Sequence, residues 1–182
     1  MKKIVLRYGL ISGGVLALIG AITFPLYRNG TLDFDNSAVL GYASMVLAFL
    51  WVFFGVRAYR DTVAAGGIGF GKAFQVGILI TLITCAIYVI SWEIIYYNFF
   101  PDFLDQYSAH SVAKMQAAGA SAAEIEKASA KMADFAKLYA NPFWNSAITF
   151  LEIFPVGLIV TLVTAAILRR KSSPTPPRTA TA

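Results

Sequence analysis

Four apolar runs, each long enough to cross a bilayer, constrain this chain more than any other feature. A helix crossing a hydrocarbon core needs about 20 apolar residues, and the runs over 8–27, 38–56, 73–100 and 143–168 reach that length. In lipid every backbone polar group must be satisfied within the structure, so each run is expected as a helix. The composition agrees: 58% of the residues are hydrophobic and 14% charged, against about 25% charged in an average soluble domain. The expected fold class is an all-α membrane protein, with one four-span unit over 1–171. The segment 172–182 is proline-rich, lacks large apolar residues and is expected as a disordered cytoplasmic tail. The first run follows Lys2, Lys3 and Arg7 like a secretory signal. Its apolar part is too long for one and precedes no convincing cleavage site, so it is expected to remain as a span.

Lysine and arginine placement predicts the orientation. One side holds Lys2, Lys3, Arg7, Arg57, Arg60, Lys72, Arg169, Arg170, Lys171 and Arg178; the other holds Arg28, Lys114, Lys127, Lys131 and Lys137. The richer side is expected to be cytoplasmic, with both termini inside. Trp92, Tyr96, Tyr97, Trp144 and Tyr27 then suit an aromatic belt at the outer interface. The net charge of +5 comes from basic residues beside apolar runs. That is headgroup anchoring, for which Arg57, Arg60 and Lys72 are the inner-face candidates, and it gives no reason to expect nucleic acid. Arg57 and Asp61, four apart on one helix, suit an ion pair.

Gly66, Gly71 and Lys72 carry the spacing of a phosphate-binding loop. The next position must supply a hydroxyl for magnesium and here is Ala73. The stretch reads instead as a cytoplasmic elbow, with Phe70 and Phe74 dipping into lipid and Lys72 staying at the headgroups.

Between the third and fourth spans, residues 101–142 predict an extracytoplasmic helical hairpin. Pro101 suits a first helical turn, Asp102 and Asp105 suit its positive end, and Gly119 breaks the helix. Ser121 and Glu124 have the spacing of a capping box. Ile125, Ala128, Met132, Phe135 and Tyr139 then follow one helical face. In span one Gly9, Gly13, Ala17 and Ala21 form a stripe of small residues, repeated by Gly157, Thr161 and Ala165 in span four. Such stripes let helices approach closely in lipid, within one chain or across a dimer.

Glu93 and Glu152 are the acids inside the apolar runs. Intramembrane carboxylates are costly and face a protein interior. Both fall in the outer part of their spans, and the antiparallel run of spans three and four lets them share one interior point. They can be held uncharged, accept a hydrogen bond from Tyr96, Tyr27 or Trp144, or pair with Arg28. Glu93, Glu152, Arg28 and Tyr96 are therefore a candidate polar network, and Pro155 removes one helix hydrogen bond beside Glu152. The one histidine, His110, reads as a surface residue and excludes a multi-histidine metal site. The one cysteine, Cys85, reads as an apolar filler.

The segments 54-FGVRAYRD-61, 69-GFGKAFQVG-77 and 92-WEIIYYNFFPDF-103 resemble the bacterial "domain of unknown function 4199" family over about residues 4–171. The resemblance implies a small four-span protein of the bacterial inner membrane with a helical insertion before the last span, and implies no activity. No catalytic constellation is present, so neither an enzyme nor a cofactor is expected. The expected role is structural, as an accessory protein interacting with the lipid bilayer and a membrane-protein partner or a second copy. The alternative is a small transporter or proton-linked channel using Glu93 and Glu152.

Overall fold

The computed structural model describes residues 1–32 and 34–169, and every regular element among them is helical. The predicted tail over 172–182 and the basic residues from Arg170 onward lie outside the described residues. Helix α1 spans Lys2–Arg28. A 3₁₀ turn over Phe34–Asn36 leads into α2, Ser37–Thr62, and α3 spans Phe70–Asn98. Two shorter helices follow, α4 over Phe103–Ala117 and α5 over Ala122–Tyr139, before α6 at Pro142–Leu168.

Helices α1, α2, α3 and α6 are each long and apolar enough to cross a membrane, which makes this a multi-pass membrane protein. Their outward faces carry Leu18, Ile22, Leu151, Ile159 and Ile167, all more than half exposed. An apolar girdle of this kind has no place on a soluble monomer. Helix α1 begins at Lys2 and α2 continues to Thr62, beyond the apolar runs that define the spans. Helix propensity does not stop where the hydrocarbon does.

Helices α1 and α6 each pack against both α2 and α3, and α2 also touches α3. Small residues set the distances. A Cβ on Gly9 would lie 2.7 Å from Ile83, and one on Gly13 2.5 Å from Ile87, so the glycine half of the α1 stripe is filled by α3 of the same chain, while Ala21 is exposed. A Cβ on Gly157 would lie 2.5 Å from Thr81 and 2.6 Å from the Phe49 ring. One turn along, the Thr81 and Thr161 hydroxyls hydrogen-bond at 2.8 Å. Ser12 Oγ donates to the Ala48 carbonyl at 2.8 Å, joining α1 to α2. With no hydrophobic drive between helices in lipid, close backbone approach and such bonds hold the assembly.

At the end where α1 begins and α6 stops, Gly66 adopts φ +84° in the turn between α2 and α3, a backbone shape that needs no Cβ. Phe70 and Phe74 stack there, and Lys72 Nζ donates to Gln75 at 2.8 Å. Arg57 and Asp61 approach at 3.7 Å, while Arg60 Nε reaches the same carboxylate at 2.7 Å.

At the other end α4 and α5 form a hairpin. Helix α4 starts at Phe103, not at Pro101: Pro101 and Asp102 lie in a turn closed by Phe103 N–H to the Phe100 carbonyl at 3.2 Å. The Asp102 carboxylate accepts from the Gln106 amide at 2.7 Å. Gly119 takes φ +78° between the helices. The Ser121–Glu124 capping box is complete, and the Ser121 hydroxyl holds the Glu124 carboxyl below its ordinary range.

Candidate functional site

The hairpin is fixed to the long helices by a directed chain of hydrogen bonds. Trp92 Nε1 on α3 donates to the Tyr139 hydroxyl at the end of α5, at 2.7 Å. The Tyr139 and Thr149 hydroxyls are 3.1 Å apart, and Thr149 Oγ1 donates to Asn145 Oδ1 at 3.3 Å. Thr149 has one hydrogen and gives it to Asn145, so Tyr139 is the donor to Thr149. Burial pushes the Tyr139 phenol up to about 12, against the lowering effect of its bonds to Thr149 and Trp92. Tyr139 is the one buried residue of α5, and α4 has none. That ring and its hydroxyl are the buried centre of the hairpin's anchor on α3 and α6, beside the Tyr97 hydroxyl donating to the Ala140 carbonyl at 3.2 Å.

Beneath this anchor lies a cavity of about 330 Å³. Helix α1 walls it with Leu16, Gly20 and Phe24, and the first turns of α2 with Gly41 and Met45. Helix α3 adds Tyr88 and Trp92, and α6 adds Thr149 and Glu152. Phe34, Phe103 and Tyr139 close it on the hairpin side. A second cavity of about 320 Å³ lies between α4, α5 and α6, walled by Tyr107, Lys131 and Met132 among others. Phe103, Tyr139 and Glu152 line both cavities. Glu152 is the acid common to them, and among the described residues it has no hydrogen bond or ion pair.

The residues expected to form one polar network are placed apart. Glu93 accepts from Ser146 Oγ at 2.9 Å and lines neither cavity. Ser146 and Glu152 are six residues apart, about 120° around a helix of 3.6 residues per turn, so the two acids address different sides of α6. Arg28 donates to the Phe99 carbonyl at 2.7 Å. That carbonyl ends α3, so the guanidinium meets the negative end of the helix instead of a carboxylate. Tyr96 is buried edge-on against Tyr139 at 5.4 Å. Among the described residues no hydrogen bond or ion pair joins any two of Glu93, Glu152, Arg28 and Tyr96. Arg57 and Lys72 are exposed at the opposite end, with Arg60 partly covered.

The expected aromatic belt needs correction. Tyr97 and Trp144 face outward, but Trp92, Tyr96 and Tyr27 are buried. The hairpin folds over α3 and turns one side of it into an interior, where Trp92 packs on Phe24 at 4.8 Å and on Phe103 at 5.2 Å. His110 also does more than sit on the surface. Its ring lies 5.7 Å from that of Phe34, and its Nε2 is 3.0 Å from Asp35 Oδ1, which Lys114 Nζ reaches at 2.6 Å. These contacts tie α4 to the 3₁₀ turn.

Asn145, Thr149 and the role of Tyr139 escape the sequence reading. The only available signal is two polar residues at i, i+4 in an apolar run, facing a tyrosine at the end of the preceding helix. Among the described residues no group of three or more His, Cys, Asp and Glu side chains is close enough to hold a metal ion. Comparison with characterised proteins and with solved structures yields no match. A family model described as "Protein of unknown function (DUF4199)" matches residues 7–170. The match covers all four spans and the hairpin, and the chain belongs to the DUF4199 family.

Proposed function

We propose that this protein is a four-helix bundle of the bacterial inner membrane that works by binding, not by catalysis, as an accessory membrane protein with a small-molecule site inside the bundle. Its termini are cytoplasmic and its hairpin extracytoplasmic, as lysine and arginine placement indicates. The carrying observation is Glu152: an acid in a span, without a partner among the described residues, on the wall of a cavity of about 330 Å³. That volume is at the lower end of small-molecule sites, and an apolar wall with a few polar groups is their usual lining.

Native mass spectrometry of protein released gently from membranes tests this reading. Wild type carries a dissociable small molecule, and Gly41→Phe does not. Gly41 lines the cavity and a Cβ there meets nothing within 4 Å, so the substitution fills the site without a clash at its first atom. Identical spectra for the two proteins, with no bound mass in either, would overturn the reading.

A second reading, transport, is favoured by Glu152 bordering both the bundle cavity and the hairpin cavity. Flux in proteoliposomes that needs Glu152 and is indifferent to Glu93→Gln supports it. Absence of flux leaves binding as the function.

A further inference from the structure

We propose that the cavity around Glu152 takes a small organic cation: a quaternary or protonated amine carrying an apolar group. The inference rests on the binding reading above and specifies its ligand. Two features of the wall carry it.

The first is charge and aromatic surface. Among the described residues lining the bundle cavity, Glu152 is the one acid, and there is no lysine or arginine. Eight are aromatic, with Phe24, Tyr27, Tyr88 and Trp92 supplied by the long helices. A carboxylate among aromatic faces attracts a cation twice, by charge and by the ring quadrupoles. Lys131 lines the hairpin cavity on the far side of Glu152 and makes no ion pair with it among the described residues.

The second is the direction of the wall's hydroxyl hydrogens. Ser37 donates to the Phe34 carbonyl, Ser44 to Leu40 and Thr23 to Ile19. Thr149 donates to Asn145, which leaves Tyr139 donating to Thr149, and the Trp92 N–H goes to Tyr139. The serine, threonine and indole hydrogens on this wall all point to protein acceptors. The hydroxyls of Tyr27, Tyr42 and Tyr88 remain as donors on the wall, but with acceptors, π faces and Glu152 and without lysine or arginine among its described residues, the cavity is the complement of a cation and the opposite of an anion site. A bare divalent ion is disfavoured, because hard cations require six or more oxygen ligands. An organic cation is weakly hydrated and content with ring faces.

The test uses the full-length protein in lipid nanodiscs and two probes: benzyltrimethylammonium and its carbon isostere, neopentylbenzene. Binding is read by calorimetry and by quenching of tryptophan fluorescence. Wild type binds the ammonium and discriminates against the isostere by about fivefold or more, the scale of a partly exposed cation–π contact combined with a carboxylate contact. Glu152→Gln removes that preference, and Lys131→Gln keeps it. Thermal unfolding of each variant checks that the fold is intact, and Gly41→Phe provides a second loss of binding that leaves the carboxylate in place. Equal binding of both probes by wild type would overturn the cation class while the binding reading stands. An undiminished preference in Glu152→Gln would overturn the site. Failure of both probes to bind would overturn the cation class, while the binding reading is decided separately by the bound mass in wild type and Gly41→Phe.

Discussion

Replacing Tyr139 by phenylalanine removes one oxygen and keeps the ring. The ring's packing on Tyr96 at 5.4 Å and Phe135 at 5.3 Å survives, so little apolar burial is lost. The oxygen is both the acceptor of the Trp92 N–H at 2.7 Å and the donor to Thr149 at 3.1 Å. Trp92 is 6% exposed, so its buried N–H is left without its protein acceptor. An orphaned buried donor costs about 1–3 kcal/mol, and loss of the second bond about 0.5–1.5 kcal/mol, with Thr149 still bonded to Asn145. We take about 2–3 kcal/mol for the pair. Because Tyr139 is the one buried residue of α5, the loss falls on hairpin docking and not on the long helices. Hydrogen–deuterium exchange in nanodiscs reads this directly. Peptides from α5 should exchange about 30- to 150-fold faster, at about 1.4 kcal/mol per factor of ten, while peptides from α1 and α3 stay unchanged. Trp92→Phe combined with Tyr139→Phe should cost less than the sum of the single changes, since the double variant leaves no orphaned indole N–H. Exchange of α5 within about threefold of wild type, or an equal acceleration in all helices, would refute this description of the anchor.

Three further outcomes are expected. Gly157→Ala forces a methyl to 2.5 Å from Thr81 and 2.6 Å from the Phe49 ring. It should lower stability by about 1–3 kcal/mol, whereas Gly41→Ala, open at its Cβ position, should be tolerated in the same thermal-unfolding assay. The Tyr139 phenol is raised from 10.0 to about 12. The stabilisation it represents is complete below pH 10 and is lost as pH rises through about 12, because the released chain gives up the proton first. An ultraviolet tyrosinate titration of wild type minus Tyr139→Phe should isolate that late component. Arg28→Gln removes the charge at the end of α3 and should cost about 0.3–1 kcal/mol, the range for a cation at an exposed helix terminus, with no effect on benzyltrimethylammonium binding.

Much of the fold is written locally in the chain. Span length, the Ser121–Glu124 cap and Gly119 each act within a few residues, so each can be read before any packing is known. The two carboxylates show where such reading ends. Counting residues along a span measures depth in the membrane, and both acids do lie in the parts of α3 and α6 nearest the hairpin. It does not measure which helix side faces which neighbour. That rotation depends on Gly157 seating Thr81 and Phe49, and it sends Glu93 to Ser146 and Glu152 to the cavity. The aromatic residues fail as a belt for a related reason. Trp92 and Tyr96 would suit an interface on an isolated α3, but a hairpin that begins at Phe103 folds back over them. Tyr139 was visible as the last residue of an apolar face. That its hydroxyl completes a chain from Trp92 to Asn145 depends on three helices meeting, which no spacing within one helix encodes.

The proposed topology is four helices crossing a bilayer with the hairpin on one side and the amino terminus on the other. Single cysteines at Glu126 in the hairpin and at Lys3, in a Cys85→Ser background, allow a direct reading with a membrane-impermeant maleimide on spheroplasts. The prediction is labelling at position 126 in intact spheroplasts and at position 3 only after permeabilisation. Labelling of both positions in intact spheroplasts, or of position 3 alone, would contradict it.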